Sequence, residues 1–374
     1  NAQNKHSYAA DLYKNNGYRL KFGKYRNQDL GINVSMVNQN GTQLKTELDN
    51  TILKVYLATP IKPGEPTTLQ LDFKTYFDKE AIRNRMKMFN FFGQKHYDLV
   101  HWYPRVSVVD QKVGWVTDQH VDHEFYGEFG SYHVELALPN HYIGDGTGVL
   151  INENEVLPLE LRKQLDIRNF LKKPFNSAPS KIVERNGTKK TWKFSAINVH
   201  DFAFTCDPNY RISETRWNNT RCIALVQEPH AAGWYNAADY IAKTLEINSY
   251  NIGHYPHPKM IVADAQDGME YPMLTLCGGF DPGYRTLLIH EMTHNWFQGM
   301  LGSNENYRTW MDEGFTQFYT ADTYQFIDGP ITKENEPSGK YARKYTEPRR
   351  IVDDEFYTSY YVANVTRNEE VVLN

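Results

Sequence analysis

The sequence predicts two domains of different class: an N-terminal antiparallel β-sheet domain, followed by a mixed α+β domain. Two observations support this order. Short segments in which apolar and polar residues alternate, separated by turn residues, recur through the first half of the chain. Beyond them, longer segments carry apolar residues at helical spacing. A chain of 374 residues is long enough for both domains to bury a core.

The β-strand pattern is clearest in three segments of the first half: residues 51–57, 68–73 and 132–138. The dipeptide Asn40-Gly41 ahead of them predicts a hairpin turn, because both residues tolerate positive φ. Alternation leaves one face of each strand apolar. This is typical of an antiparallel sheet that buries one face and exposes the other.

A charged segment interrupts this pattern. Leucines at near-helical spacing predict a surface helix over residues 157–173, within an insertion of about residues 150–190. Strand character returns at residues 192–204. The composition changes again near Pro208, so we place the N-terminal domain at residues 1–206 and the second domain at residues 207–374.

Three helices and one buried strand are predicted in the second domain. An apolar stripe predicts a helix over residues 233–248, and the apolar run at residues 260–263 predicts a short strand. Residues 281–297 predict a second helix, because the segment opens with Asp-Pro, a common cap and first turn. A third helix is expected at about residues 311–326.

The composition excludes some functions. A net charge of −4 provides no basic surface, so nucleic acid is not an expected partner. No apolar run approaches the length of a membrane span. Cys206, Cys222 and Cys277 are too few for a disulfide framework. We expect buried free thiols, with a Cys206–Cys222 pair as the alternative.

The segment His290-Glu291-Met292-Thr293-His294 predicts a metal site. Residues four apart share a helical face, so His290 and His294 can bind one ion. Zinc accepts imidazole nitrogen and carboxylate oxygen, and in catalytic sites it lowers the pKa of water toward about 7. Glu291 is then placed to take the proton of that water as a general base.

A third ligand is expected on the next helix. Glu313 follows His294 after a spacer of eighteen residues, which leaves room for a loop and the start of a helix facing the first. The alternative is that both histidines are ordinary buried residues. Two buried histidines beside a buried glutamate would be costly without a partner. We therefore predict one Zn²⁺ held by His290, His294 and Glu313.

Together these motifs resemble the aminopeptidase N family of gluzincin zinc metallopeptidases. Besides the metal motif and its spacer, the segment Asp267-Gly268-Met269-Glu270-Tyr271-Pro272 is similar to the family's Gly-x-Met-Glu-Asn motif. Three further family signatures have counterparts in the first half of the chain: Trp102-Tyr103-Pro104-Arg105, Glu124-Phe125-Tyr126-Gly127-Glu128-Phe129-Gly130 and Val199-His200-Asp201-Phe202-Ala203.

The resemblance implies a thermolysin-like α+β catalytic domain that removes N-terminal residues from peptides, which are the expected partners. It implies that Glu270 binds the substrate's α-amino group and that Gly268 and Met269 line the substrate cleft. Recognition of an ammonium group near the metal does require a fixed carboxylate of this kind.

Some positions depart from the family pattern. Asp267 and Tyr271 replace the usual Gly and Asn, and Thr320 stands where many members carry an acidic partner for a zinc-binding histidine. Such partners fix the orientation of the imidazole ring. Gln317 or Asp322 is expected to take this role, unless the site is tuned differently.

The tyrosine that stabilises the oxyanion in the family is expected beyond Asn374, because the family's setting is absent around Tyr357, Tyr360 and Tyr361. The first strands of the β domain and the family's helical C-terminal domain are also expected to be missing. The chain would then be a fragment of a longer enzyme with an incomplete catalytic domain, and we expect it outside the cytoplasm (periplasmic or secreted).

Two other interpretations fit the same residues. A gluzincin endopeptidase, or a bifunctional relative such as a leukotriene hydrolase, would use the same metal site without depending on the amino group. A non-catalytic, zinc-bearing peptide-binding fragment would retain the ligands, but it would have no need of the base Glu291.

Overall fold

A computed structural model describes residues 31–79, 85–117, 126–175 and 177–329, together with Asp11, Lys14 and Asn15. The chain forms two compact units. The first comprises Asn1–Phe89 and His101–Glu124, and the second comprises Asn90–Val100 and Phe125–Asn374. This division does not test the predicted boundary between residues 206 and 207, which stays a prediction.

The first unit is built from small sheets. Its strands are β1 (Ile32–Gln39), β2 (Thr42–Gln43), β3 (Lys45–Asp49), β4 (Ile52–Tyr56), β5 (Leu69–Thr75), β6 (Asp78–Lys79), the start of β7 (Lys87–Phe91), β9 (Val109–Asp110) and β10 (Gly114–Trp115). One sheet has the order β2–β1–β5, and hairpins pair β3 with β4 and β9 with β10. Asn40 and Gly41 join β1 to β2 with φ angles of 51° and 84°, which confirms the predicted turn. The predicted strands at residues 51–57 and 68–73 are confirmed as β4 and β5.

The second unit holds the remaining strands. They are β8 (Gln94–Leu99), β11 (Gly130–Pro139), β12 (Ile143–Gly146), β13 (Val149–Leu150), β14 (Lys189–Val199), β15 (Phe204–Asp207), β16 (Tyr210–Trp217), β17 (Thr220–Gln227), β18 (Lys259–Asp264), β19 (Met269–Tyr271) and β20 (Leu274–Cys277). β11 pairs antiparallel with β14, and burial alternates along β11 as the sequence predicts. Cys206, Cys222 and Cys277 are buried free thiols, so the disulfide alternative is wrong.

A mixed sheet carries the elements of the candidate site. Its strand order is β16–β17–β18–β20–β19; β18 runs parallel to both neighbours, and the outer pairs are antiparallel. The central strand β18 is buried along its whole length, as expected for a parallel strand covered on both faces. In the described part of the chain, β19 is an edge strand of this sheet, and it bears Glu270.

Three longer helices accompany the mixed sheet: the crossover helix (Ala237–Asn251), the central helix (Arg285–Phe297) and the downstream helix (Phe315–Asp328). Their apolar side chains share one core with β17 and β18. Shorter elements are helices Glu153–Val156, Leu159–Leu165 and Glu305–Thr309, 3₁₀ turns Ile167–Asn169 and Glu228–Gly233, and a π-helical turn Trp310–Gly314. Within the described residues, no helix is long and apolar enough to cross a membrane.

Two helix predictions were wrong in detail. The surface helix expected at residues 157–173 is broken, because the backbone of Asp166 forms a bridge with Ile212 between the two short pieces. The central helix begins at Arg285, and Asp281 does not cap it. The Asp281 carboxylate instead accepts a hydrogen bond from Arg285 Nε at 2.6 Å.

A buried charged cluster joins β8 to β15. The imidazole of His96 lies 2.8 Å from a carboxylate oxygen of Asp98 and 3.2 Å from one of Asp207. Burial opposes protonation of His96, but the two carboxylates outweigh it and raise its pKa to about 9. The positive charge on His96 at neutral pH therefore compensates two carboxylates that would be costly to bury alone.

Candidate metal centre

The central helix brings two histidines to one point. His290 and His294 are four residues apart, and their Nε2 atoms lie 3.2 Å from each other with the rings nearly perpendicular. Every residue from Thr286 to Phe297 is buried, so the helix is held by packing along its whole circumference. The side chains of the two histidines are consequently fixed in orientation.

Glu313 completes a three-donor set. Its Oε2 lies 3.2 Å from Nε2 of His290 and 3.8 Å from Nε2 of His294. A tetrahedral zinc ion with bonds of about 2.1 Å keeps its ligand atoms about 3.4 Å apart, so these separations fit such an ion. Two imidazole nitrogens and one carboxylate oxygen are also ligand types that zinc accepts. The Glu313 side chain is 44% exposed, which leaves the site open toward solvent on that side.

A buried amide links the three helices that frame this site. Asn248 on the crossover helix donates to Oγ1 of Thr293 on the central helix at 2.9 Å. Its Oδ1 accepts from Thr323 on the downstream helix at 2.6 Å. All three side chains are fully buried. Because buried polar groups are costly to leave unpaired, this link fixes how the helices pack and thereby how Glu313 meets the histidines.

A π-helical turn places two acidic residues on opposite sides of one imidazole. Asp312 Oδ1 lies 2.6 Å from Nδ1 of His294, while the next residue, Glu313, approaches Nε2 of the same ring. The turn Trp310–Gly314 is wider than an α-helical one, and such turns are frequent at functional sites. Asp312 thus accepts the Nδ1 proton and leaves Nε2 as the nitrogen that faces the metal position.

The electrostatic environment of His294 is strongly negative. Burial alone would lower its pKa, but the carboxylates of Asp312, Glu270 and Glu313 outweigh that effect and hold the pKa of the imidazole well above its usual range. In the metal-free protein these carboxylates therefore favour the protonated imidazole, and a metal ion would displace the Nε2 proton on binding.

Replacing Asp312 by Asn is expected to weaken zinc binding by about 10- to 100-fold, because the amide is a poorer acceptor for the Nδ1 proton of His294. Calorimetric titration of the metal-free variant measures the loss. Asp322→Asn is a matched control on the downstream helix: the sequence offered Asp322 as a partner of the histidines, but its carboxylate contacts Asn251 at 3.5 Å instead. Equal zinc affinity in wild type and Asp312→Asn would show that this hydrogen bond does not orient the ligand.

The predicted base, Glu291, is buried beside Gly268. A Cβ atom at Gly268 would lie only 2.1 Å from Oε1 of Glu291, so the glycine leaves the space that the carboxylate occupies. One carboxylate oxygen each of Glu291 and Glu270 and one ring nitrogen of His294 lie within 4.8 Å of one another. The base and the predicted amine-binding carboxylate are therefore adjacent to the same metal ligand.

Glu270 lines a recess next to the metal position. The recess is narrow, and its lining residues are Glu270, Tyr271, Pro272, His294, Asn295, Gln298 and Gly299. The neighbouring Met269 is 1% exposed. Successive strand residues point to opposite faces, so the recess receives the side chain of Glu270, while that of Met269 lies in the interior.

Some sequence-based predictions have a different outcome or stay open. Asp312, which carries the carboxylate contact to His294, was missed, because the residue directly before Glu313 would not face the same imidazole in a regular α-helix. Thr320 stands where the resemblance implied an acidic partner for a histidine, and its Oγ1 lies 3.5 Å from Nδ1 of His290. Tyr357, Tyr360 and Tyr361 lie outside the described residues.

Comparison with known proteins rests on structure alone. No protein-family model matches the sequence, and no curated protein matches it. Among solved structures, the M1 zinc metallopeptidase from Deinococcus radiodurans is similar, with 18% sequence identity, a TM-score of 0.53, and a match covering 80% of this chain and 62% of that one. A mutant of that enzyme, solved with a Tyr-Ser-Ala substrate bound, matches with a TM-score of 0.51.

A second similar structure is Legionella pneumophila aminopeptidase A in complex with aspartic acid, with 12% identity and a TM-score of 0.53. That match covers 90% of this chain and 39% of the other. The chain thus spans less than two thirds of the length of these enzymes. At such identities the likeness defines the fold, which is that of the M1 zinc metallopeptidases.

Proposed function

We propose that the chain carries the zinc site of an aminopeptidase that removes N-terminal residues from peptides. His290, His294 and Glu313 would hold one Zn²⁺, and Glu291 and Glu270 would act on the substrate. The observation that carries the proposal is the convergence of both carboxylates on His294, within 4.8 Å. A metal site alone would be compatible with other hydrolases; a second buried carboxylate beside it favours recognition of a positively charged amine.

Each residue has a separate task in this mechanism. When bound, zinc supplies Lewis acidity, which polarises the scissile carbonyl and makes water acidic near neutral pH. Glu291 takes a proton from the attacking water and later delivers a proton to the leaving amine. Glu270 binds the α-ammonium group, so that the first peptide bond is the one presented to Glu291. Asp312 holds His294 in the tautomer that a metal ligand requires.

Two peptides that differ only by acetylation of the α-amino group test this assignment. We expect the wild-type protein to cleave the free peptide and to lose about 10- to 100-fold in kcat/KM on the acetylated one, since one charge-assisted contact is lost. Glu270→Gln should lower activity on the free peptide by a similar factor and reduce the difference between the two substrates. Glu135→Gln is the control, because Glu135 is an exposed residue of β11 whose carboxylate pairs with Lys193 at 3.5 Å.

Equal cleavage of both peptides would contradict the aminopeptidase assignment and favour the endopeptidase alternative. If neither peptide is cleaved although zinc is bound, the result would favour the non-catalytic peptide-binding alternative.

The location outside the cytoplasm stays a prediction.

A further inference from the structure

The turn that follows Glu270 is intrinsically unfavourable. β19 and β20 form a hairpin in which Tyr271 pairs with Leu274, so only Pro272 and Met273 make the turn. Met273 has a φ of 63°, a left-handed conformation that costs free energy for a side chain of this kind. Proline at the first turn position and positive φ at the second are the pattern of a type II turn. Type II turns also match the twist of a two-residue hairpin poorly.

Asn295 on the central helix supports this turn from outside. Its Oδ1 accepts a hydrogen bond from the backbone N–H of Met273 at 3.0 Å, and its Nδ2 lies 3.5 Å from the carbonyl oxygen of Tyr271. The side chain is 2% exposed. One buried amide therefore contacts the backbone on both sides of Pro272, and it holds the N–H of the very residue whose φ is unfavourable.

The contact between Asn295 and the turn also affects where Glu270 lies relative to the metal ligands. Asn295 directly follows His294, and it lines the same recess as Glu270. The central helix that bears it is buried along its length, so the amide is a rigid reference point. Glu270 lies one residue before Tyr271, in a strand of three residues. A shift of the turn would therefore move the Glu270 carboxylate relative to the metal ligands.

We infer that Asn295 is a positioning residue: it anchors the turn at Pro272–Met273 to the central helix and so sets the distance of the Glu270 carboxylate from His294. The inference rests on the proposed function for the role of Glu270, but the anchoring itself does not. Asn295 is not proposed to contact the substrate's reacting atoms or the metal. It acts through the backbone of β19.

Hydrogen exchange at the Met273 amide tests the anchoring without any measurement of activity. In wild type we expect strong protection, because the N–H is buried and bonded to Asn295. Asn295→Ala should accelerate exchange at Met273 by at least about tenfold, since the acceptor is lost. Asn295→Asp keeps an acceptor oxygen and should retain most of the protection. Asn251→Ala, on the crossover helix, is the matched control and should leave Met273 unchanged.

Kinetics with a free-amino peptide test the consequence for Glu270. A carboxylate that binds the ammonium group in both ground and transition states affects KM, so Asn295→Ala should raise KM about tenfold and change kcat by less than about threefold. Zinc affinity should stay at the wild-type value, because His294 keeps its own partner, Asp312. Asn295→Asp should recover most of the loss in KM along with the protection of Met273.

Three results would overturn the inference. Unchanged exchange at Met273 in Asn295→Ala would show that the amide does not hold the turn. Lost protection with an unchanged KM would show that the turn does not place Glu270. A parallel loss of zinc affinity would show that Asn295 acts through His294 instead. Failure of the proposed function has a different signature, because wild type itself would then show no preference for a free amino group.

Discussion

Replacing Glu291 by Gln is expected to lower kcat for peptide hydrolysis by about 10²- to 10⁴-fold, the range that a positioned general base contributes. The substitution keeps the size and shape of a side chain that is 4% exposed, so the fold should be preserved. Gln cannot accept a proton from water, and therefore the chemical step fails although substrate and metal can still bind. KM and zinc affinity should change little.

Single-turnover rates of wild type and Glu291→Gln, each loaded with one equivalent of zinc, measure this effect. Glu246→Gln is a suitable control, since Glu246 is an exposed glutamate on the crossover helix. If Glu291→Gln cleaved peptides as fast as wild type, the base would be another group and the proposed mechanism would be wrong.

Replacing Gly268 by Ala is expected to reduce kcat by about 10²-fold, because it moves the base rather than removing it. The new Cβ would lie 2.1 Å from Oε1 and 2.9 Å from Cδ of Glu291, and 2.9 Å from Cδ1 of Leu287. Both side chains are buried, so the clash should displace the Glu291 carboxylate at a cost in folding free energy of about 1 to 3 kcal/mol, the usual range for overpacking.

This substitution also separates the two roles considered for Gly268. If Gly268 lines the cleft, as the family resemblance implies, its replacement would mainly raise KM. If Gly268 instead leaves room for Glu291, its replacement lowers kcat. Gly253→Ala serves as the control, because a Cβ at Gly253 meets no atom within 4 Å. A normal kcat in Gly268→Ala would contradict the observed placement of the carboxylate.

The elements that bear the candidate metal site were predictable because their signals are local. Histidines four residues apart on a buried helix, followed by a glutamate on the next helix, indicate a shared face and a facing ligand without knowledge of the rest of the fold. The hairpin at Asn40-Gly41 was predictable for the same reason, since its backbone conformation depends on those two residues.

The features that were missed depend on contacts between distant segments. Asp281 resembles a helix cap, but its carboxylate binds Arg285 four residues later, and the distant contact of Arg285 with Asp328 on the downstream helix helps to fix this arrangement. A π-helical turn has no local sequence pattern of its own, so the contact of Asp312 with His294 could not be derived from helical spacing. The support of Met273 by Asn295 likewise joins a strand turn to a helix.

The two histidines of the candidate site have different partners at Nδ1. Thr320 Oγ1 lies 3.5 Å from Nδ1 of His290, at the position where the sequence resemblance implied an acidic group. The Asp312 carboxylate contacts Nδ1 of His294. The orienting carboxylate therefore acts on His294, and it comes from the residue directly before Glu313.

We expect His290, His294 and Glu313 to bind one zinc ion together. Calorimetric titration of zinc into the metal-free protein at neutral pH, in parallel with His290→Ala, measures this binding. The structure predicts one zinc per chain in wild type. In the variant, it predicts a loss of affinity larger than the 10- to 100-fold that removal of an orienting partner causes. No zinc binding in wild type, or equally tight binding in His290→Ala, would contradict the account.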